Sequence, residues 1–182
     1  MSRKFIRHAL YFLPAEDSNL RDFGDSWLGW SVTEGKAIAH PLIAGLSLAA
    51  ITQTPRRYGF HGTLKAPFRL ADGVRESDLI TKATALVSSI PAFKIPALQI
   101  TSLGSFLAFV PGQASTELQQ LASSLVSELD PLRAPLSDAE LTRRRAACLT
   151  PAQDMLLKKW GYPFVMDEFR FHLTLSGRCR QT

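Results

Sequence analysis

A short phrase written twice constrains the fold more than anything else in the sequence. Residues 57–68 read RYGFHGTLKAPF and residues 169–178 read FRFHLTLSGR, so His-x-Thr-Leu recurs at two places well apart in the chain. Side chains alternate sides along a β-strand. In the first stretch Arg57, Gly59, His61, Thr63 and Lys65 then share one side, with Tyr58, Phe60, Gly62 and Leu64 on the other. In the second, Arg170, His172, Thr174 and Ser176 share one side, and Phe169, Phe171, Leu173 and Leu175 the other. The alternation predicts two strands, over 57–65 and 167–176, each burying an apolar face and presenting a cation, a histidine and a threonine.

That polar set suits phosphodiester chemistry without a metal. One imidazole takes a proton from the nucleophile and the other gives one to the leaving oxygen, which suits a side chain titrating near pH 6.5. Hydroxyls hold the non-bridging oxygens, and Arg or Lys offsets the charge that develops there. His61, Thr63, His172 and Thr174 are therefore the expected catalytic set, with Arg57, Lys65 and Arg170 as expected substrate contacts from strand geometry. Tyr58 stands one position off the polar face, where a core aromatic is the first expectation and a substrate contact the second. His8 and His40 lack the pattern and read as structural.

Around these strands the hydrophobic period alternates between strand-like and helical. Residues 4–13 read as a strand, 17–30 as a helix, and 31–55 as loop with a short helix. Residues 76–90 and 115–130 read as amphipathic helices, with two strands at 93–103 and 105–111 between them. Ser137 caps a helix over 137–147, and Thr150 another over 151–160. The pattern is α+β, one domain over 1–182. Pro67 is expected to stop the first motif strand.

The net charge of +5 favours an anionic partner. The two cysteines, Cys148 and Cys179, form no disulfide framework or metal pattern and read as reduced thiols of a cytoplasmic protein. The basic, then apolar, beginning reads as a strand rather than a signal peptide, and no segment is long and apolar enough to span a bilayer. GxxxxGK[ST], GxGxxG, HExxH and GxSxG are all absent, which removes the usual NTPase, dinucleotide, zinc-protease and serine-hydrolase readings. No cofactor or metal is expected.

With these residues in place, the chain resembles the two-histidine (2H) phosphoesterase superfamily, whose signature is two His-x-Thr/Ser motifs on separate strands. RYGFHGTLKAPFRL, RAPLSDAELTRRRAACLTPAQDMLLKKWGYP and DEFRFHLTLSGR look like a bacterial branch whose genes accompany phosphonate-degradation genes. The resemblance implies two similar sheet-and-helix lobes around a central cleft, one motif from each lobe. It makes His61 and His172 the acid–base pair and Thr63 and Thr174 the phosphate clamps. It implies a small-molecule phosphate ester as substrate, and by association 5-phosphoribosyl 1,2-cyclic phosphate.

Within the 137–163 segment, three consecutive arginines fan around a helix, so one or two of Arg143, Arg144 and Arg145 can face a site. If the segment lids the cleft, Arg144 or Arg145 holds a second phosphate and Tyr162 stacks on the substrate ring. The leading expectation is a metal-independent cyclic phosphodiesterase. The alternatives are an enzyme acting on RNA ends or nucleoside 2′,3′-cyclic phosphates, and a non-catalytic phosphate- or nucleotide-binding module. RNA readers interleave basic residues with exposed aromatics. Here most aromatics fall on faces expected to be buried, which disfavours RNA.

Overall fold

The computed structural model describes residues 7–178. Its strands are β1 (His8–Phe12), β2 (Trp30–Ser31), β3 (Lys36–Ala37), β4 (Gly62–Phe68), β5 (Leu98–Leu103), β6 (Phe106–Pro111) and β7 (Leu173–Thr174). Its α-helices are α1 (Asn19–Leu28), α2 (Leu48–Ile51), α3 (Glu76–Ser88), α4 (Thr116–Glu128), α5 (Asp138–Arg145) and α6 (Pro151–Trp160). The chain is mixed α+β. Five strands form one sheet in the order β1–β4–β7–β6–β5, and the β4–β7, β7–β6 and β6–β5 pairings are antiparallel. Two compact units divide the chain. The first takes the residues up to Leu10, Leu64–Lys94 and Ser115–Arg170; the second takes Tyr11–Thr63, Ile95–Ala114 and the residues from Phe171 on.

In the second unit, β5 and β6 form a hairpin paired from Leu98↔Pro111 to Leu103↔Phe106, closed by a turn in which Gly104 adopts a left-handed conformation. α1 starts at Ser18, whose side chain accepts from the Arg21 amide, and stops at left-handed Gly29. Leu28, Phe60, Ala108, Leu173 and Leu175 are buried to 3% exposure or less and form the apolar interior of this unit. Inside α1, Gly24 leaves room for the Phe60 ring, since a Cβ there would lie 2.0 Å from a ring carbon. His40 is structural, as its sequence suggests: its Nδ1 lies 3.0 Å from the Trp27 carbonyl and its Nε2 2.8 Å from the Arg56 guanidinium.

In the first unit, α3 packs on α4 around buried Phe68, Leu79, Leu125 and Leu129. Glu140 in α5 closes a capping box with Ser137, and Thr150 does the same with Gln153 at the start of α6. Both helix starts match the sequence reading. α3 and α4 match it within two residues at each end.

The two motif strands depart from expectation. The first does not span 57–65: Pro55–Arg57 is a 3₁₀ turn, Gly59 is left-handed, and the strand begins only at Gly62. A Cβ at Gly59 would sit 1.7 Å from a Val32 methyl carbon, so glycine is required where the chain turns. Nor does Pro67 stop the strand, which continues to Phe68. β7 meets β4 only at Gly62, so the missing Pro67 amide has no ladder bond to lose on that side. The second motif strand is Leu173–Thr174 rather than 167–176. A 3₁₀ turn occupies Met166–Glu168, and past Thr174 the amides of Leu175 and Ser176 both donate to the Leu107 carbonyl, a bulge that ends regular pairing. Residues 4–6 of the expected first strand, and Cys179, lie outside the described residues. Cys148 is exposed and unpaired. Among the described residues no helix is long and apolar enough to cross a membrane.

Candidate functional site

The two motifs meet because β4 pairs with β7 through their middle residues, Gly62 opposite Leu173. Carried one residue outward each way, this register sets His61 opposite Thr174 and Thr63 opposite His172. Residues directly opposite in an antiparallel pair share a face, so all four polar side chains stand on the face away from Gly62 and Leu173. The two histidines are then diagonal neighbours, roughly 7–8 Å apart at the backbone. Gly62 is needed for the approach: a Cβ there would lie 2.4 Å from the Phe171 ring and 3.3 Å from Leu173. His61, Thr63, His172 and Thr174 all belong to the second unit.

The His61 Nδ1 lies 2.9 Å from the Gly59 carbonyl. A carbonyl only accepts, so Nδ1 carries the proton, and the Nε2 of the neutral ring is left with its lone pair. The left-handed turn at Gly59 aims that carbonyl. The Tyr11 ring covers one side of the imidazole, 4.0 Å between centroids. Burial lowers the His61 pKa below 6.5 and charge on His172 lowers it further, while the Gly59 and Tyr58 carbonyls act in the opposite sense. The ring of His172 packs beside Phe106 at 5.6 Å.

A cavity of about 580 Å³ opens here, in the size range of small-molecule sites. His61 and Thr174 line it, together with Tyr11, Tyr58, Phe106 and Arg178. Its floor is tied down by the Trp27 indole, which donates to the Leu175 carbonyl at 2.7 Å, and by Ser176, whose Oγ accepts from the Leu107 amide at 2.9 Å. Among the described residues no three His, Cys, Asp or Glu side chains gather as a metal-binding set.

The supporting residues expected from strand geometry fare differently. Lys65 is not a substrate contact: it is 3% exposed in the first unit, and its Nζ donates to the Val126 carbonyl at 3.1 Å, near the end of α4. Strand alternation does not persist past Thr63, where the chain passes from one unit to the other. Arg57 is exposed on the 3₁₀ turn rather than on the strand. Arg170 is exposed, precedes β7 and belongs to the first unit. Tyr58 is not a core aromatic; it is 64% exposed and lines the cavity. Arg144, Arg145 and Tyr162 all lie in the first unit. The Arg144 guanidinium sits over the Tyr162 ring at 5.1 Å, and Arg145 is held by Asp154 at 2.7 Å. Sequence reasoning assigned no role to Tyr11, Phe106 or Arg178. They reach the cavity through pairing and turns that leave no periodic signal.

Comparison with known proteins agrees with this chain being one of a group. The chain belongs to a family described as a protein of unknown function, DUF1045, whose model matches residues 63–182. It is 39% identical over 178 residues to a Janthinobacterium sp. (strain Marseille) protein named ribose 1,5-bisphosphate phosphokinase PhnN, covering 96% of this chain and 39% of the relative. It is 30% identical over 174 residues to a Laribacter hongkongensis (strain HLHK9) protein of the same name, covering 95% of this chain and 40% of the relative. The chain thus spans about two-fifths of the length of these curated relatives. No solved structure matches it.

Proposed function

We propose that this member of the DUF1045 family is a metal-independent phosphodiesterase of the two-histidine type that opens a small cyclic phosphate ester. The observation that carries the reading is the Gly62↔Leu173 pairing, which makes two His-x-Thr motifs into one polar face. His61 is the general base: its Nε2 bears the lone pair, and its lowered pKa keeps it neutral near pH 7. Water attacks phosphorus and its proton passes to His61 Nε2. The ring P–O bond breaks opposite the attack, and the departing oxygen takes a proton from His172. A phosphomonoester results, with one water consumed. Thr63 and Thr174 donate to the non-bridging oxygens, and Arg178 at the cavity offsets their charge.

The relatives' names support a particular substrate. Opening 5-phosphoribosyl 1,2-cyclic phosphate at the bond between phosphorus and O2 yields ribose 1,5-bisphosphate, the compound on which those relatives are named to act. This chain has no GxxxxGK[ST] loop, so we assign the named kinase to the part of the relatives that it does not match. The two activities would then be consecutive steps of phosphonate breakdown. A second reading, nucleoside 2′,3′-cyclic phosphates or RNA ends, is favoured by one observation: Tyr11, Tyr58 and Phe106 offer ring faces in the cavity on which a base could stack.

The test incubates the protein, with EDTA present, with the sugar cyclic phosphate and separately with the four nucleoside 2′,3′-cyclic monophosphates, following products by phosphorus NMR. Opening of the sugar compound to ribose 1,5-bisphosphate, absent in a His61→Ala/His172→Ala variant, is expected. Opening of the nucleotides alone moves the substrate to RNA ends. Ligand binding without turnover of any of them leaves a binding module and overturns the catalytic reading.

A further inference from the structure

Four arginines of the first unit, Arg7, Arg69, Arg143 and Arg144, line one open concavity of about 850 Å³ together with Ser137 and Glu140. The Glu140 carboxylate is saturated. Arg7 donates to it at 2.9 Å and Arg69 at 3.1 Å, and the Ser137 amide and hydroxyl donate to it at 3.0 and 3.1 Å. Among the described residues neither Arg143 nor Arg144 pairs with that carboxylate, which leaves a surplus of two guanidinium charges in the lining.

Arg144 shows what the space lacks. Arg145, next on α5, turns outward to a two-bond pairing with Asp154. Arg144 turns inward over Tyr162, and its Nε is shut off from solvent with no acceptor among the described residues. A buried donor left without an acceptor destabilises the fold that holds it. Burial lowers the Arg144 pKa, and the charges on Arg7 and Arg143 add to that effect. Glu140 is fully engaged and the Tyr162 ring offers its face, so among the described residues none supplies the missing oxygen.

We propose that the first unit carries a pocket for a dianionic phosphate monoester, gripped by Arg144 and Arg143 and walled by Arg7 and Arg69. A carboxylate would bring one charge and two oxygens. A phosphomonoester brings about two charges and three terminal oxygens, which comes nearer to neutralising the surplus and can feed several guanidinium forks at once. The phosphoryl group has two possible sources: the second phosphate of the sugar substrate, or a separate phosphate ester. Only the first source rests on the phosphodiesterase reading above; the binding itself does not.

The experiment titrates inorganic phosphate and ribose 5-phosphate by calorimetry into wild type, Arg144→Gln, Arg144→Lys, Arg143→Gln and the His61→Ala/His172→Ala variant. Urea unfolding checks that each variant is folded. Binding that survives loss of both histidines, falls tenfold or more in Arg144→Gln and is partly restored in Arg144→Lys is expected. Binding that is unchanged in Arg144→Gln and Arg143→Gln, or that disappears with the histidines, overturns the proposal. The KM for 5-phosphoribosyl 1,2-cyclic phosphate and for the same sugar lacking its 5-phosphate separates the sources. An Arg144→Gln rise confined to the first compound assigns the pocket to the substrate. Unchanged KM with lost phosphate binding assigns it to a separate ester. A short RNA that binds through these arginines while phosphate does not would also overturn it.

Discussion

Lys65→Met tests the most unexpected placement in the molecule. Lys65 is an ammonium group at 3% exposure, with the Val126 carbonyl as hydrogen-bond partner and the Phe68 ring 5.0 Å from Nζ. Burial pulls its pKa from the ordinary 10.5 to about 8; Asp130 opposes the change and Arg133 adds to it. That difference corresponds to about 3 kcal/mol of stability withheld while the folded protein must hold the charge. Between pH 8 and 10.5 the unfolded chain binds more protons than the folded one, so stability rises with pH across this window. Worked through, the gain from pH 7 to pH 9.5 is about 2 kcal/mol. The comparison must be between pH values rather than at neutral pH alone. There, removing the charge relieves about 3 kcal/mol, but leaving the Val126 carbonyl unpaired returns a penalty of about 1–3 kcal/mol. Urea unfolding of wild type and Lys65→Met at both pH values isolates the lysine, because every other titrating group is common to the two. Wild type should gain about 2 kcal/mol more than the variant. Parallel changes would mean that Lys65 titrates as a solvent-facing lysine, and its placement beside α4 would be refuted.

Replacing His61 or His172 singly by Ala should lower turnover by about 10²–10⁴ while leaving substrate binding measurable, checked by initial rates beside calorimetry. In the proposed mechanism neutral His61 is the working form, so with its pKa below 6.5 the acidic limb of kcat/KM should lie below that value; an acidic limb at or above 6.5 would contradict the assignment of base. Gly62→Ala places a methyl group 2.4 Å from the Phe171 ring and should cost about 1–3 kcal/mol, read by thermal unfolding, with turnover reduced because β4 and β7 are pushed apart. Tyr11→Leu removes the ring on His61 and should move the acidic limb of the pH profile without unfolding the chain, since Tyr11 is partly exposed.

The helices were legible because their signals are local. Ser137 with Glu140, Thr150 with Gln153, and Gly161 after Trp160 mark the bounds of α5 and α6 within a few residues of chain. The candidate quartet of His61, Thr63, His172 and Thr174 was legible because the same residue types recur at the same spacing. The residues around it were less so. Alternation predicted Lys65 on the polar face, but a period of two holds only while a strand keeps one environment, and β4 passes from one unit to the other just after Thr63. Tyr58 was assigned to the interior on a strand that begins four residues later. Tyr11 and Phe106 carry no motif at all.

By itself the sequence determined the main helices, the two His-x-Thr stretches and the acid–base chemistry those side chains can perform, because spacing and residue type are properties of the chain alone. The pairing of Gly62 with Leu173, the His61 tautomer set by the Gly59 carbonyl, the burial of Lys65 and the gathering of four arginines around Glu140 were decided only in the tertiary structure. Register, proton position and charge clustering depend on which distant segments meet, and closing those long loops is rewarded only by packing that no local stretch of sequence encodes.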